Sequence, residues 1–222
     1  MSGIAAVLPV KPIGDALGRL AAALAADERR ALQEAMLTDV LAACAASDVD
    51  EILVVSNDPL ASGLAVEAGA RVIADATPPE GMNRAVARGL DAANRAGFGA
   101  ALVLTADLPR ITAAALDELI SFGAGGRYVL FAASRDGTGT NAMLLRPPTA
   151  IPPELGPGSL ARHLRRTAAE GLPSLTLSLP ELALDIDTPD DLAAFLATPG
   201  ETRTHSVCAR LGLGATPAAG TA

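Results

Sequence analysis

The 222-residue sequence contains no tryptophan, one tyrosine and four phenylalanines, although half of its residues are apolar. Its core must therefore be assembled from Ala, Leu, Val and Ile. Cysteine is scarce as well. Cys44 and Cys208 have neither metal-ligand spacing nor the numbers for a disulfide framework. Cys44 falls on the helical stripe Leu37, Val40, Leu41, Cys44 and reads as a buried, inert thiol. Basic residues number 17 against 25 acidic ones, giving a net charge of −8 and a pI near 4.7. That balance excludes an extended nucleic-acid surface, which demands clustered Lys and Arg. A small anionic substrate remains open, because a metal or a few local cations override global charge. The segment Met1-Ser2-Gly3-Ile4 has no charged leader region, and no apolar run reaches membrane-spanning length. A cytoplasmic location with no membrane partner is expected.

What is present is an alternation of strand-like and helix-like segments. Strands are expected at Ile4–Val10, Glu51–Ser56, Arg71–Ala74, Ala100–Thr105, Arg127–Ala133, Thr140–Arg146 and Ser174–Ser178. Helices are expected at Asp27–Ala46 with Asp27 as N-cap, Pro59–Ala68, Gly81–Ala96, Thr112–Ser121 with Thr112 as N-cap, Ser159–Glu170 and Thr188–Leu196. This order predicts an α/β fold: a mostly parallel mixed sheet covered by helices on both faces, with antiparallel pairing near residues 127–146. Residues 1–197 read as one domain. From about Thr198 the chain turns to Pro, Gly, Thr and Ala, and 198–222 reads as a flexible tail.

Two acidic signatures stand out, Thr105-Ala106-Asp107-Leu108-Pro109 and Asp185-Ile186-Asp187-Thr188-Pro189. Each follows an apolar run that reads as a strand, and ligands of α/β sheets bind at the carboxyl ends of strands. Asp185 and Asp187 are two apart, so an extended segment points both to one side. If Asp107 joins them, three negative charges converge and call for a divalent cation. The following residues have a structural explanation instead: Thr188 as N-cap, Pro189 at the first helical position, Asp190 and Asp191 as partners of the helix dipole.

Four further segments carry possible chemistry, each beside a plainer reading. The loop Lys11 to Leu20 can hold phosphates through Lys11 and Arg19, or can be a connection with solvated charges. In Gly81-Met82-Asn83, Asn83 offers a donor and an acceptor to a nucleoside, or caps a helix. Asp136-Gly137-Thr138-Gly139-Thr140-Asn141 can wrap an anion, or form a hairpin turn. Gly156-Pro157-Gly158-Ser159 can present helix N–H groups to a carboxylate or phosphate, or Ser159 can be an ordinary N-cap and His163 a surface residue.

In combination and order, these segments resemble one family over roughly residues 4–197. It is the 2-phospho-L-lactate, phosphoenolpyruvate or 3-phosphoglycerate guanylyltransferases of coenzyme F420 (deazaflavin) biosynthesis. The resemblance implies a sugar-nucleotide-transferase-like nucleotidyltransferase fold and transfer of GMP from GTP to a small phosphorylated three-carbon acid. It implies Mg2+ held by Asp107, Asp185 and Asp187. Lys11 and Arg19 would face the GTP phosphates, Asn83 the nucleoside, and Thr140, Gly156 and Ser159 the acid. The chain departs from the family pattern at Leu17, where a Lys is usual, and at Ala106, where a Gly is usual. The alternatives are a molybdopterin-type or sugar-type enzyme of the same fold, whose Gly-rich loop after the first strand is absent, and a weakened nucleotide-binding paralogue.

Overall fold

The computed structural model describes residues 3–14, 17–123 and 125–213. Seven strands form one sheet: β1 (Ile4–Pro9), β2 (Glu51–Val55), β3 (Arg71–Ile73), β4 (Ala100–Leu104), β5 (Tyr128–Ala133), β6 (Thr140–Arg146) and β7 (Ser174–Leu177). Their order across the sheet is β3-β2-β1-β4-β6-β5-β7. β6 runs antiparallel to both β4 and β5, and every other neighbouring pair is parallel. The expected mixed α/β sheet is the one observed.

Both faces of the sheet are buried, and strand alternation divides them cleanly. Ala6 and Leu8 of β1 and Ala100, Leu102 and Leu104 of β4 face one apolar layer. Ala5, Val7, Ala101 and Val103 face the other. Period-two exchange between two cores requires apolar residues at every position, which is what makes β1 and β4 read as continuous apolar runs. The first layer packs on α1 (Ala26–Ala45), α2 (Pro59–Glu67) and α4 (Ala113–Ser121), and the second on α3 (Met82–Arg95) and α5 (Ser159–Ala169). With few large side chains available, helix and sheet approach closely. A Cβ on Gly89 of α3 would collide with Val7 of β1.

Helix starts follow local chemistry. The Thr112 hydroxyl accepts from Ala115 N–H at the start of α4. Thr188 and Asp191 cap each other reciprocally at the start of α7 (Pro189–Leu196), with Pro189 in the first turn. α1 differs from expectation: its N-cap is Ala25 rather than Asp27, and the Glu28 carboxylate receives the Ala25 N–H at 2.7 Å. The acid three residues on has taken over the capping, so Asp27 lies inside the first turn. A short α6 (Pro180–Ala183) precedes α7.

The expected mobility from residue 198 does not hold for the first part of that segment. Arg203–Arg210 form α8, with Thr204, Val207 and Cys208 buried. Asp39 of α1 fixes it, accepting from Arg203 N–H and Thr204 N–H, both at 2.9 Å, and from the Thr204 hydroxyl at 2.6 Å. Scattered Thr and Arg hid this helix because it docks through hydrogen bonds and two small apolar residues. The expectation for residues 214–222 lies outside the described residues. No helix among the described residues is long and apolar enough to cross a membrane.

Candidate active site

Chain direction across the sheet reverses between β1 and β4: β1 leads to β2 and β3 on one side, and β4 lies on the other. A crevice opens at such a switch point, outside the carboxyl ends of the strands. The loops leaving β1 and β4, carrying Lys11 and Asp107, meet there. Because β6 is antiparallel, its first residues, Thr140 and Asn141, lie at the same edge; Ala142 is paired with Leu104, the last residue of β4.

Two adjoining cavities occupy this crevice. One, of about 560 Å³, is bordered by Asp107, Thr140, Gly156, Ser159, Asp185 and Asp187, among others. The other, of about 360 Å³, is bordered by Lys11, Leu17, Arg19 and Gln33, among others. Arg19, Met82, Asp107 and Asp187 border both, so they form the wall between them.

The acidic segments lie side by side through one backbone bond: Ile186 N–H donates to the Asp107 carbonyl at 3.1 Å. Ile186 is fully buried, which leaves Asp185 and Asp187 on the other side of the extended segment. That segment follows α6 rather than a strand, because Pro180 starts a helical turn. Asp107 Oδ1 is buried without a hydrogen-bond partner among the described residues, as is Thr105 Oγ1. Burial raises the Asp107 carboxyl to about 7, and the charges of Asp185 and Asp187 add to the effect. Burial also raises Asp185, although Asn141 Nδ2 donates to its Oδ1 at 3.2 Å.

Asp187 is engaged elsewhere, 3.6 Å from Arg19 in an exposed ion pair. Among the described residues no three His, Cys, Asp or Glu side chains are gathered closely enough to hold a metal. The full convergence of three carboxylates expected from the sequence is therefore not formed in this conformation. The donor chemistry nevertheless fits a hard cation: a buried carboxylate oxygen lacks a partner, and its neighbours penalise its charge.

The opposite end of the larger cavity is a framework of neutral hydrogen bonds. Thr140, Ser159 and His163 are all buried. His163 Nδ1 lies 3.0 Å from Thr140 Oγ1, Ser159 Oγ lies 3.2 Å from the same oxygen, and Glu154 N–H donates to His163 Nε2 at 2.9 Å. The His163 ring stacks on Phe131 with centroids 5.7 Å apart. Burial pulls its pKa down to about 4. His163 is thus a core residue, not a surface one.

The loop before α5 is clamped from several sides. Arg162 donates to the Glu154 and Pro157 carbonyls, and Arg166 pairs with the Glu154 carboxylate. Gly156 and Gly158 take positive φ of 114° and 68°, a turn that side chains resist. Gly158 is the N-cap residue of α5 and Ser159 its first residue, so the expected Ser159 cap is shifted by one.

Eight of the nine residues read from sequence as site residues border the crevice: Lys11, Arg19, Asp107, Thr140, Gly156, Ser159, Asp185 and Asp187. Asn83 does not. Both ends of its amide grip Leu155: Nδ2 donates to the carbonyl and Oδ1 accepts from the N–H. These two bonds secure the Gly156 loop. Leu17, at φ 60°, is 7% exposed and packs with Leu20, Leu24, Met36 and Ile186.

Sequence reading named Asn141 only as the end of the Asp136 loop, and it missed Arg135. Asn141 Nδ2 donates to the Leu182 and Ala183 carbonyls as well as to Asp185, tying β6 to the acidic segment. A polar residue inside an otherwise apolar strand was the available signal. Arg135 borders the larger cavity and pairs with Asp191 at 2.9 Å, and an Arg ahead of an Asp-Gly turn gives no such signal. Asp136 is the turn's anchor. The Ser134 hydroxyl and Thr138 hold its carboxyl down at about 2.

A switch-point crevice with an acidic wall and a polar pocket defines a nucleotidyltransferase-like α/β protein. The fold matches that of a putative nucleotide-diphospho-sugar transferase from Desulfovibrio desulfuricans G20, with a TM-score of 0.75 at 17% identity over 96% of each chain. Residues 4–222 match the family described as "Guanylyl transferase CofC like", and the chain belongs to it. It is 45% identical over 188 residues to the phosphoenolpyruvate guanylyltransferase of Sphaerobacter thermophilus, covering 84% of this chain and 89% of the relative. It is 38% identical over 210 residues to the 3-phospho-D-glycerate guanylyltransferase of Phenylobacterium zucineum, covering 93% and 95%.

Proposed function

We propose that the protein transfers GMP from GTP to the phosphate of a small phosphorylated three-carbon acid and releases pyrophosphate, with Mg2+ held at Asp107, Asp185 and Asp187. The observation that carries the reading is the shared wall. Arg19, Asp107 and Asp187 stand between a cavity with the only lysine of the chain, Lys11, and a cavity with Thr140, Gly156 and Ser159. Two anionic reactants entering from either side meet at that wall. The names of the relatives support the choice of guanylyl transfer over another nucleotidyl transfer.

The chemistry suits the residues. A phosphate oxygen of the acid attacks the α-phosphorus in line, and the α–β bridging oxygen leaves with pyrophosphate. The attacking phosphate is already ionised near neutral pH, so no side-chain base is needed. What the site must supply is orientation and charge compensation. Lys11 and Arg19 face the triphosphate, and Arg19 exchanges Asp187 for it, which frees that carboxylate to join Asp107 and Asp185. Thr140, Ser159 and the Gly156 loop receive the acid. When bound, the cation supplies the positive charge that offsets both anions at the point of transfer. Leu17 does not weaken the reading, since its side chain serves the apolar cluster under the loop.

The product would be the activated acid of deazaflavin coenzyme synthesis. The test is to incubate the protein with GTP and Mg2+, offer phosphoenolpyruvate, 2-phospho-L-lactate and 3-phospho-D-glycerate separately, and identify the guanylylated product by mass spectrometry. Transfer to at least one acid is expected. A folded protein that transfers to none would leave a nucleotide-binding paralogue as the better account.

A further inference from the structure

The hydrogen-bond framework behind the acid pocket has a direction. Backbone N–H groups only donate, so the bond from Glu154 N–H makes His163 Nε2 an acceptor. The neutral ring then carries its proton on Nδ1, and that proton points at Thr140 Oγ1 at 3.0 Å. Thr140 and Ser159 share one bond at 3.2 Å, which uses one of their two hydroxyl protons. Whichever of the two donates, one proton remains, and both residues border the larger cavity. With the other tautomer the count changes. Thr140 would donate to the ring, Ser159 would donate to Thr140, and only lone pairs would face an incoming anion.

We infer that His163 is a positioning residue, whose tautomer, set by the Glu154 N–H, forces the Thr140–Ser159 pair to present a proton to the anionic acid. This deepens the proposed function and rests on that reading for the identity of the ligand. The ring is well suited to the task. It is fully buried, stacked on Phe131, and neutral at physiological pH, so its polarity stays fixed while the substrate exchanges. His163 reaches the substrate only through Thr140, so its loss should affect the acid and spare the nucleotide.

The experiment is a steady-state comparison of wild type, His163→Phe, His163→Asn, Thr140→Val and the Phe/Val double variant, with GTP and the acid varied in turn. Phe keeps the stacking but has no N–H, whereas Asn restores a donor near the Nδ1 position. We expect His163→Phe to raise KM for the acid tenfold or more with KM for GTP within twofold, and His163→Asn to recover most of the loss. In the Thr140→Val background, His163→Phe should have no further effect. Equal losses for both substrates, or losses that multiply in the double variant, would overturn the inference. If His163→Phe does not fold, His163→Gln, which still reaches Glu154, enters the same cycle with the same criteria. Absence of any transfer by the wild type is a separate result, and it counts against the proposed function itself.

Discussion

Replacing Asp107 by Asn probes the crevice at its most buried charge. Its Oδ1 is buried although the residue as a whole is half-buried, and this burial lifts the carboxyl from 3.8 to about 7. A carboxyl that binds its proton more tightly in the folded state destabilises the fold once it ionises. Below about pH 4 it is protonated in both states, and Asp and Asn behave alike. Between pH 4 and 7 only the unfolded chain releases the proton, and stability falls by up to ~1.4 kcal/mol per pH unit. Above pH 7 the loss levels off at ~4 kcal/mol. Solvent reaching the residue through the open crevice reduces this to about 2 kcal/mol. Asp107→Asn removes the penalty.

Urea denaturation in chelator at pH 5, 6, 7 and 8 should therefore show the variant gaining on wild type as pH rises. The gain should be under about 1 kcal/mol at pH 5 and about 2 kcal/mol at pH 8. Adding Mg2+ at pH 8 should stabilise the wild type and leave the variant unchanged, and guanylyl transfer should fall by at least about a hundredfold in the variant. A stability difference that does not vary with pH, or a variant less stable than wild type in chelator at pH 8, would refute the reasoning.

Other perturbations bear on separate parts of the structure. Gly89→Ala forces a methyl group into Val7 and should cost about 1–2 kcal/mol by denaturation, despite the better helix propensity of Ala. Asp39→Ala removes three hydrogen bonds to α8 and should cost about 2 kcal/mol, with faster amide exchange confined to residues 203–210. A lysine-directed acylating reagent should modify one side chain, Lys11, and saturating GTP should slow that modification at least tenfold; unaltered labelling would remove Lys11 from the nucleotide site. Arg135→Ala releases Asp191 and withdraws a cation from the larger cavity, so KM for the acid should rise several-fold with KM for GTP unchanged.

The parallel half of the fold was legible in the sequence because β1 and β4 bury both faces, which leaves uninterrupted apolar runs. Asp107 was legible for a related reason, because it follows β4 closely, whereas Asp185 and Asp187 follow α6 and stood out because they precede the Thr188 cap. The pairing of Asn83 with Leu155 was not legible, because an amide can bond a base or a peptide group and its partner here lies 72 positions away. Arg135 was invisible, since its role depends on Asp191, 56 positions later. The docked α8 escaped notice for the same reason, because its anchor, Asp39, is 164 positions away. Local pattern reports which side chains are unusual for their element, whereas pairing across the fold reports what they touch.

The reversed strand β6 separates the site into parts of different origin. Apart from the shared Arg19, Met82, Asp107 and Asp187, residues bordering the second cavity come from the β1 and β4 loops and α1, whereas those bordering the larger one come mainly from the acidic segment and from the stretch Ser134 to Ser159, the β5–β6 hairpin and the start of α5. That stretch is braced by Asp136, Arg162 and His163. If the proposed function holds, acceptor choice can diverge within about thirty consecutive residues while the nucleotide end stays unchanged. Relatives that share this fold but bear the names of different acids are what such a hereditary division of labour would produce.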